Sequence, residues 1–168
     1  DHPGVIRDGK GVHLPGTRPR SQFLVEKDHN LISLAVRAGI DFIGASFVSA
    51  PSDVHMIREA IRNGSTQIIS KIETAQAVEN MREIAALSDG LMIDRGDLSV
   101  DTGVEGVALL QKRILSQANE ASRPVIVATE LLQSMINSPV PTKAEVGDIT
   151  NSVLDRASAL MLSAETAV

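Results

Sequence analysis

Five short apolar runs alternate with helical stretches along the chain, and this alternation constrains the fold more than any other feature. The runs cover 41–47, 67–73, 90–93, 124–129 and 159–163. The helical stretches cover 26–38, 53–62, 75–87, 104–121 and 143–156. Strand and helix in alternation is the order of a parallel sheet with helical crossovers. Because the runs are continuously apolar, we expect both faces of the sheet to be covered.

Polar side chains stand at or just past the carboxyl end of the runs. They are Ser46, Lys71 with Glu73, Asp97, Thr129 and Ser163. In a (β/α)8 barrel all strand carboxyl ends meet at one mouth, whereas an open doubly wound sheet binds its ligand at one switch point. The pattern therefore favours an α/β fold of the TIM-type barrel class. A whole barrel takes about 250 residues, so a 168-residue chain predicts a partial barrel of about five to six βα units.

Two helix starts carry local signals. Ser52, directly after Pro51, is a plausible N-cap for the helix that follows. Thr142 with Glu145 three residues later has the pattern of a capping box. The glycine-rich segment 5–16 does not fit the βα rhythm, and we interpret it as a hairpin-like part of a separate element.

Composition excludes several classes of function. The formal net charge is −5 and aromatic residues make up 2%, which argues against nucleic-acid binding. There is no cysteine, so disulfides and thiolate metal sites are excluded and a reducing, cytoplasmic setting is expected. No apolar run approaches the roughly 20 residues that cross a bilayer, so we expect no membrane partner. The start at Asp1 indicates a chain cut or processed before that residue.

The segments around Lys71 and Asp97 carry the clearest chemistry. Lys71 and Glu73 are two residues apart in a strand and so share a face. Gly96 lets the backbone approach a ligand closely, and Asp97 offers a hard oxygen ligand. Two carboxylates on neighbouring strands suit Mg²⁺, beside an ammonium that can neutralise a phosphoryl group. Taken alone, the Lys71–Glu73 pair has a simpler interpretation as a salt bridge at a strand end.

Several motifs together resemble the pyruvate kinase family. IISKIE at 68–73, RGDL at 95–98, PVIVATELLQSMI at 124–136 and MLSAETA at 161–167 match that family in order and spacing. KGVHLPG at 10–16 and EKD at 26–28 fit its earlier part. The resemblance covers nearly the whole chain. It implies that 1–16 is the exit segment of a lid domain and that 17–168 is part of the catalytic barrel, from about its fourth strand to its eighth.

The resemblance also implies roles for site residues. Lys71 would stabilise the transferring phosphoryl group and the enolate, and Glu73 and Asp97 would bind Mg²⁺ or Mn²⁺. Arg95 and the amides of Gly96 and Asp97 would lie beside the substrate carboxylate. Thr129 would sit over the enolate carbon, Ser163 would belong to a proton relay, and Ser46 would support the cation sites.

The reaction implied is the glycolytic transfer of a phosphoryl group from phosphoenolpyruvate to ADP, giving pyruvate and ATP. It would use Mg²⁺ and K⁺ in a cytoplasmic homo-oligomer, a tetramer for full-length members. The family's first barrel strand has no counterpart here, and Asp94 stands where a small residue is usual. An added carboxylate would repel a second anion. We therefore expect little or no kinase turnover from this chain alone.

Two other functions fit the residues. The first is a magnesium-dependent lyase or aldolase acting on keto acids, which needs Lys71, Glu73 and Asp97 but no nucleotide. The second is a barrel fragment that serves in binding or assembly, since an incomplete parallel sheet leaves open edges.

Overall fold

A computed structural model describes residues 8–9, 22–62 and 64–167 of the chain. The predicted segment 1–16 lies outside the described residues except for 8 and 9, so its assignment stays a prediction. The helices and strands run in the order α1 (Glu26–Arg37), β1 (Phe42–Ala45), α2 (Pro51–Ile61), β2 (Gln67–Ile72), α3 (Ala75–Glu79), α4 (Met81–Leu87), β3 (Gly90–Asp94), α5 (Arg95–Thr102), α6 (Val104–Glu120), β4 (Val125–Ala128), α7 (Lys143–Leu154) and β5 (Ala159–Met161). Short 3₁₀ turns cover Gln133–Ile136 and Ala164–Thr166.

The five strands form one parallel sheet in the order β1-β2-β3-β4-β5. Each strand therefore pairs with its neighbour in sequence, and the order has no reversal of the kind that defines an open doubly wound sheet. This is the strand order of a barrel wall, which confirms the predicted partial TIM-type fold. All carboxyl ends lie at the same edge.

The helices form a layer against the sheet. α1 contacts α2, α2 contacts α4, and α4 contacts α6. Between this layer and the sheet lies a core of fully buried aliphatic side chains, including Ile57, Ile68, Ile84, Leu91 and Ile114. Burial of such side chains is the main favourable contribution to folding, each worth about 1.5–3 kcal/mol. No helix among the described residues is both long and apolar enough to cross a membrane.

The two predicted helix starts have different outcomes. The capping box of α7 is confirmed, because Thr142 Oγ1 accepts from the Glu145 amide at 3.2 Å and Glu145 Oε2 accepts from the Thr142 amide at 2.7 Å. The N-cap at Ser52 is wrong. α2 begins at Pro51, two residues before the predicted start at residue 53, and the fixed φ of proline suits a first helical position. The Asp53 carboxylate accepts the preceding amides from within the helix.

Two helical segments differ from the predicted pattern. The stretch 75–87 is divided into α3 and α4 at Asn80, whose side-chain amide donates to the Ser49 carbonyl at 2.7 Å. In addition, α5 follows β3 without a loop, which the sequence did not indicate. Asp97 therefore does not end a strand but lies in the first turn of α5, where a carboxylate is favoured by the helix dipole.

Candidate active site

The Lys71 ammonium is the centre of a charged cluster at the carboxyl ends of β2 and β3. Its Nζ lies 2.6 Å from Glu73 Oε1 and 2.9 Å from Asp94 Oδ2. It also donates to Ser46 Oγ, just past β1, at 3.3 Å. Burial alone would lower the pKa of Lys71, but the contacts with Glu73 and Asp94 outweigh it and raise that pKa above its usual value. The lysine is therefore charged at neutral pH.

Glu73 is the most deeply buried carboxylate of the cluster, with 1% of its surface exposed. Its Oε2 accepts the Phe47 amide at 2.6 Å. Phe47 has a left-handed backbone with φ of 55°, which is costly for a bulky residue and aims this amide at the carboxylate. Burial raises the pKa of Glu73 more than the Lys71 and Phe47 contacts lower it. A cation placed next to Glu73 would therefore relieve an unfavourable buried charge.

Three carboxylates meet in this region. Oxygen atoms of Glu73, Asp94 and Asp97 all lie within 4.8 Å of one another. We call Lys71 and these three residues the cation cluster. When ionised, three carboxylates against one ammonium leave two negative charges, and Glu73 Oε1 is buried without a hydrogen bond of normal geometry. Hard carboxylate oxygens in excess of local positive charge fit a divalent cation such as Mg²⁺ or Mn²⁺.

Thr129 joins the cation cluster from the end of β4. Its Oγ1 accepts the Gly96 amide at 3.1 Å and donates to Asp94 Oδ1 at 3.3 Å. Thr129 and Glu130 both have positive φ, 67° and 53°, so the chain turns sharply here through two strained residues. A Cβ at Gly96 would lie 3.7 Å from Thr129 Oγ1, which is ordinary contact, so the protein itself does not require glycine there.

Arg95 is buried, and its side chain bonds to the turn after β4 and to α7. Its Nη2 donates to the carbonyls of Thr129 and Glu130, both at 2.7 Å, and its Nε to the Thr129 carbonyl at 3.0 Å. Its Nη1 pairs with Asp148 on α7. The guanidinium, predicted to lie beside the substrate carboxylate, thus holds the strained turn that presents Thr129. Its contact with substrate stays a prediction.

Ser163 lies apart from the other predicted residues. It is exposed just beyond β5, where its amide donates to Glu165 Oε2 at 2.9 Å. Among the hydrogen bonds and ion pairs of the described residues, none joins Ser163 to the cation cluster. The structure therefore brings together Ser46, Lys71, Glu73, Asp97, Gly96 and Thr129, and leaves Ser163 outside this network.

The sequence did not predict that Asp94 contacts Lys71. The alternation of side chains along neighbouring strands could have indicated this contact. Lys71 is opposite Met92 in the register of β2 and β3, and Asp94, two residues on, shares the face of Met92. The roles of the Phe47 amide and of Asp148 carried no comparable signal, because both depend on contacts between distant elements.

Comparison with known proteins agrees with this geometry. A family model described as pyruvate kinase, barrel domain, matches residues 1–168. The pyruvate kinase of Sporosarcina psychrophila is 45% identical over 167 residues, which are 98% of this chain and 28% of that protein. That of Dictyostelium discoideum is 46% identical over 164 residues, 96% of this chain and 32% of that protein.

A third relative shows the same relation. The pyruvate kinase of Mycobacterium tuberculosis is 43% identical over 167 residues, 98% of this chain and 35% of that protein. The chain thus spans about a third of the length of these relatives, and nearly all of it aligns. The chain therefore belongs to the pyruvate kinase family and represents part of its barrel domain.

Proposed function

We propose that the carboxyl ends of β1 to β4 form the cation-and-enolate part of a pyruvate kinase active site. In the whole protein this site would transfer the phosphoryl group of phosphoenolpyruvate to ADP, giving pyruvate and ATP in glycolysis. The observation that supports it is the cation cluster, in which one partly buried ammonium and three carboxylates meet at the carboxyl ends of the strands. Phosphoryl transfer depends mainly on such positioning and charge neutralisation.

Each residue then has a physical task. Glu73 and Asp97 hold Mg²⁺ or Mn²⁺, which when bound supplies positive charge to neutralise an enolate or phosphoryl oxygen. The Lys71 ammonium, kept charged by its carboxylate neighbours, stabilises the same developing negative charge. Thr129, whose hydroxyl accepts the Gly96 amide, would sit over the enolate carbon, as the family relation implies. Ser46 orients Lys71 through the contact at 3.3 Å.

The remaining parts of the activity belong to the whole protein. The matched relatives are about three times longer than this chain. Contacts to ADP, a K⁺ site, the proton relay through Ser163, a cytoplasmic location and assembly as a homo-oligomer are proposed on the family relation alone. We expect the isolated chain to bind cation and enolate analogue with little or no kinase turnover.

A role in assembly is the second candidate, because the two outer strands of the described sheet each have one side without a pairing strand. β1 and β5 each pair with a single strand among the described residues. Phe42 on β1 is 56% exposed, and Leu31 and Leu34 on α1 are 53% and 55% exposed. An open parallel edge beside exposed apolar side chains favours association with further chain segments.

Binding of oxalate, a mimic of enolpyruvate, tests the proposed site. We expect calorimetry to show oxalate binding that requires Mg²⁺ and is lost in Asp97→Asn, since that substitution replaces a charged cation ligand with a neutral amide. Asp41→Asn is a matched control, because Asp41 is exposed just before β1, at the opposite edge of the sheet. Oxalate affinity that is the same in both variants, or that ignores Mg²⁺, would contradict the proposal in favour of a scaffold role.

A further inference from the structure

Asp94 engages two groups that an anionic ligand of this site would need. One carboxylate oxygen, Oδ2, lies 2.9 Å from Lys71 Nζ. The other, Oδ1, accepts a hydrogen bond from the Thr129 hydroxyl at 3.3 Å. The carboxylate therefore spans the space between the ammonium and the hydroxyl. An enolate or phosphoryl oxygen directed at Lys71 and Thr129 meets a negative charge already held there.

Protein oxygens already surround the Lys71 ammonium. An ammonium carries three N–H groups, and Nζ lies against three protein oxygens, of Glu73, Asp94 and Ser46. The Glu73 side chain is fully buried and fixed by the Phe47 amide. Asp94 is the more accessible carboxylate, with 13% of its side chain exposed. An incoming anion would therefore displace Asp94 rather than Glu73.

The balance of charges also predicts that Asp94 opposes the binding of an anion. Lys71, Glu73 and Asp97 with a divalent cation carry one net positive charge, which attracts an anion. With Asp94 ionised the sum is zero, so that attraction is lost, and a like charge close to a bound anion opposes binding. Asp94 should instead favour binding of the cation alone, because it adds a third carboxylate within 4.8 Å of the other two.

We propose that Asp94 acts as an internal anion that sets the ligand preference of this site. It pairs with Lys71 and Thr129 in the free protein, favours the divalent cation, and weakens the binding of anionic enolate-like or phosphorylated ligands. The inference rests on the proposed function, because it assumes that anions bind at the cation cluster. Asp94 is thus a specificity-determining residue.

The test measures two affinities in the purified protein and its Asp94→Ala and Asp94→Asn variants. Oxalate is titrated by calorimetry in saturating Mg²⁺, and Mn²⁺ alone is titrated by electron paramagnetic resonance. We expect Asp94→Ala to bind oxalate at least about tenfold more tightly than the unsubstituted protein, and Mn²⁺ equally or more weakly. Asp94→Asn should lie between them, because it removes the charge but keeps an oxygen for Lys71. Asp41→Ala, at the other edge of the sheet, should change neither affinity.

The different changes expected in oxalate affinity and in Mn²⁺ affinity separate this proposal from its alternatives. Oxalate binding that is unchanged or weaker in both Asp94 variants, with Mg²⁺-dependent binding intact in the unsubstituted protein, would overturn the inference and leave the proposed function standing. Absence of both oxalate and Mn²⁺ binding in all folded proteins would overturn both. Oxalate binding that emerges only in the Asp94 variants would support the inference strongly. Should Asp94→Ala fail to fold, Asp94→Asn decides by the same criterion.

Discussion

The carboxylates at the ends of β2 and β3 differ from those beyond β4 and β5. In the cation cluster, Glu73 receives one amide hydrogen bond and faces other charged side chains. Beyond β4 and β5, Glu145 accepts the amides of Ser134 and Thr142, both at 2.7 Å, together with their hydroxyls. We call Glu145, Glu165 and the amides that they accept the loop anchor. The two regions lie at the same edge of the sheet.

The pKa values follow this difference. Burial raises the pKa of Glu73 above its usual range. Hydrogen bonds from Ser134 and Thr142 lower the pKa of Glu145 to about 2. Hydrogen bonds from its own amide and from those of Ser163 and Leu132 also lower the pKa of Glu165. Where several hydrogen bonds outweigh burial, as at Glu145 and Glu165, the ionised carboxylate stabilises the fold, whereas at Glu73 burial dominates and the charge is unfavourable until a cation binds.

Arg95→Met should have the largest effect on stability, because it removes the buried cation that supports the strained turn. The substitution leaves the carbonyls of Thr129 and Glu130 without their donor, and Asp148 without its partner. Breaking a buried pair in this way costs about 3–5 kcal/mol. Urea denaturation measures the loss in free energy of unfolding.

The control for this prediction is Arg113→Met on α6, where the arginine is exposed. That substitution should change the free energy of unfolding by less than about 0.5 kcal/mol. An Arg95 variant as stable as the Arg113 variant would show that the turn at Thr129 does not depend on the guanidinium.

Glu145→Gln should have a smaller effect, and its sign depends on pH. Because the folded-state pKa of about 2 lies below the unfolded value, the ionised carboxylate stabilises the protein above the unfolded pKa of 4.5, and this contribution is lost as pH falls towards 2. We expect Glu145→Gln to have a lower melting temperature than the unsubstituted protein at pH 7. At pH 3 the difference between the two melting temperatures should be smaller. Thermal unfolding followed by circular dichroism at several pH values gives the comparison.

Exposed Glu59 on α2 supplies the matched control for Glu145. Glu59→Gln should leave the melting temperature nearly unchanged at every pH. Glu73 should affect the free energy of unfolding in the opposite direction from Glu145. Because its folded-state pKa is raised, stability is lost as pH rises through that pKa. A gap between Glu145→Gln and the unsubstituted protein that widens on acidification would contradict the account of the loop anchor.

Much of the fold was predictable because it rests on local patterns. Short apolar runs identified all five strands to within a few residues, and the spacing of Thr142 and Glu145 identified the start of α7. α5 was missed because its first turn contains Arg95, Gly96 and Asp97, which suit a turn as well as a helix. Its place depends on the burial of Leu98, a tertiary contact.

Within the site, contacts inside one strand and the meeting of Glu73 with Asp97 at the carboxyl ends were predictable, but contacts set by strand register or by backbone strain were not. The two-residue spacing of Lys71 and Glu73 was enough to place them on one face and in contact. The contact of Asp94 with Lys71 also needed the register between β2 and β3. The position of the Arg95 side chain depended on a left-handed turn at Thr129 and Glu130, where no glycine signals such a conformation.

One paired measurement tests most directly whether the two regions have separate tasks. Mn²⁺ affinity and free energy of unfolding are determined for the unsubstituted protein, Asp97→Asn and Glu145→Gln. We predict that Asp97→Asn weakens Mn²⁺ binding by at least about tenfold without loss of stability, since a charged cation ligand becomes a neutral amide. Glu145→Gln should lower stability without changing Mn²⁺ affinity. If Asp97→Asn bound Mn²⁺ normally, or if both variants lost stability and affinity together, the cation cluster would not be a distinct ligand site.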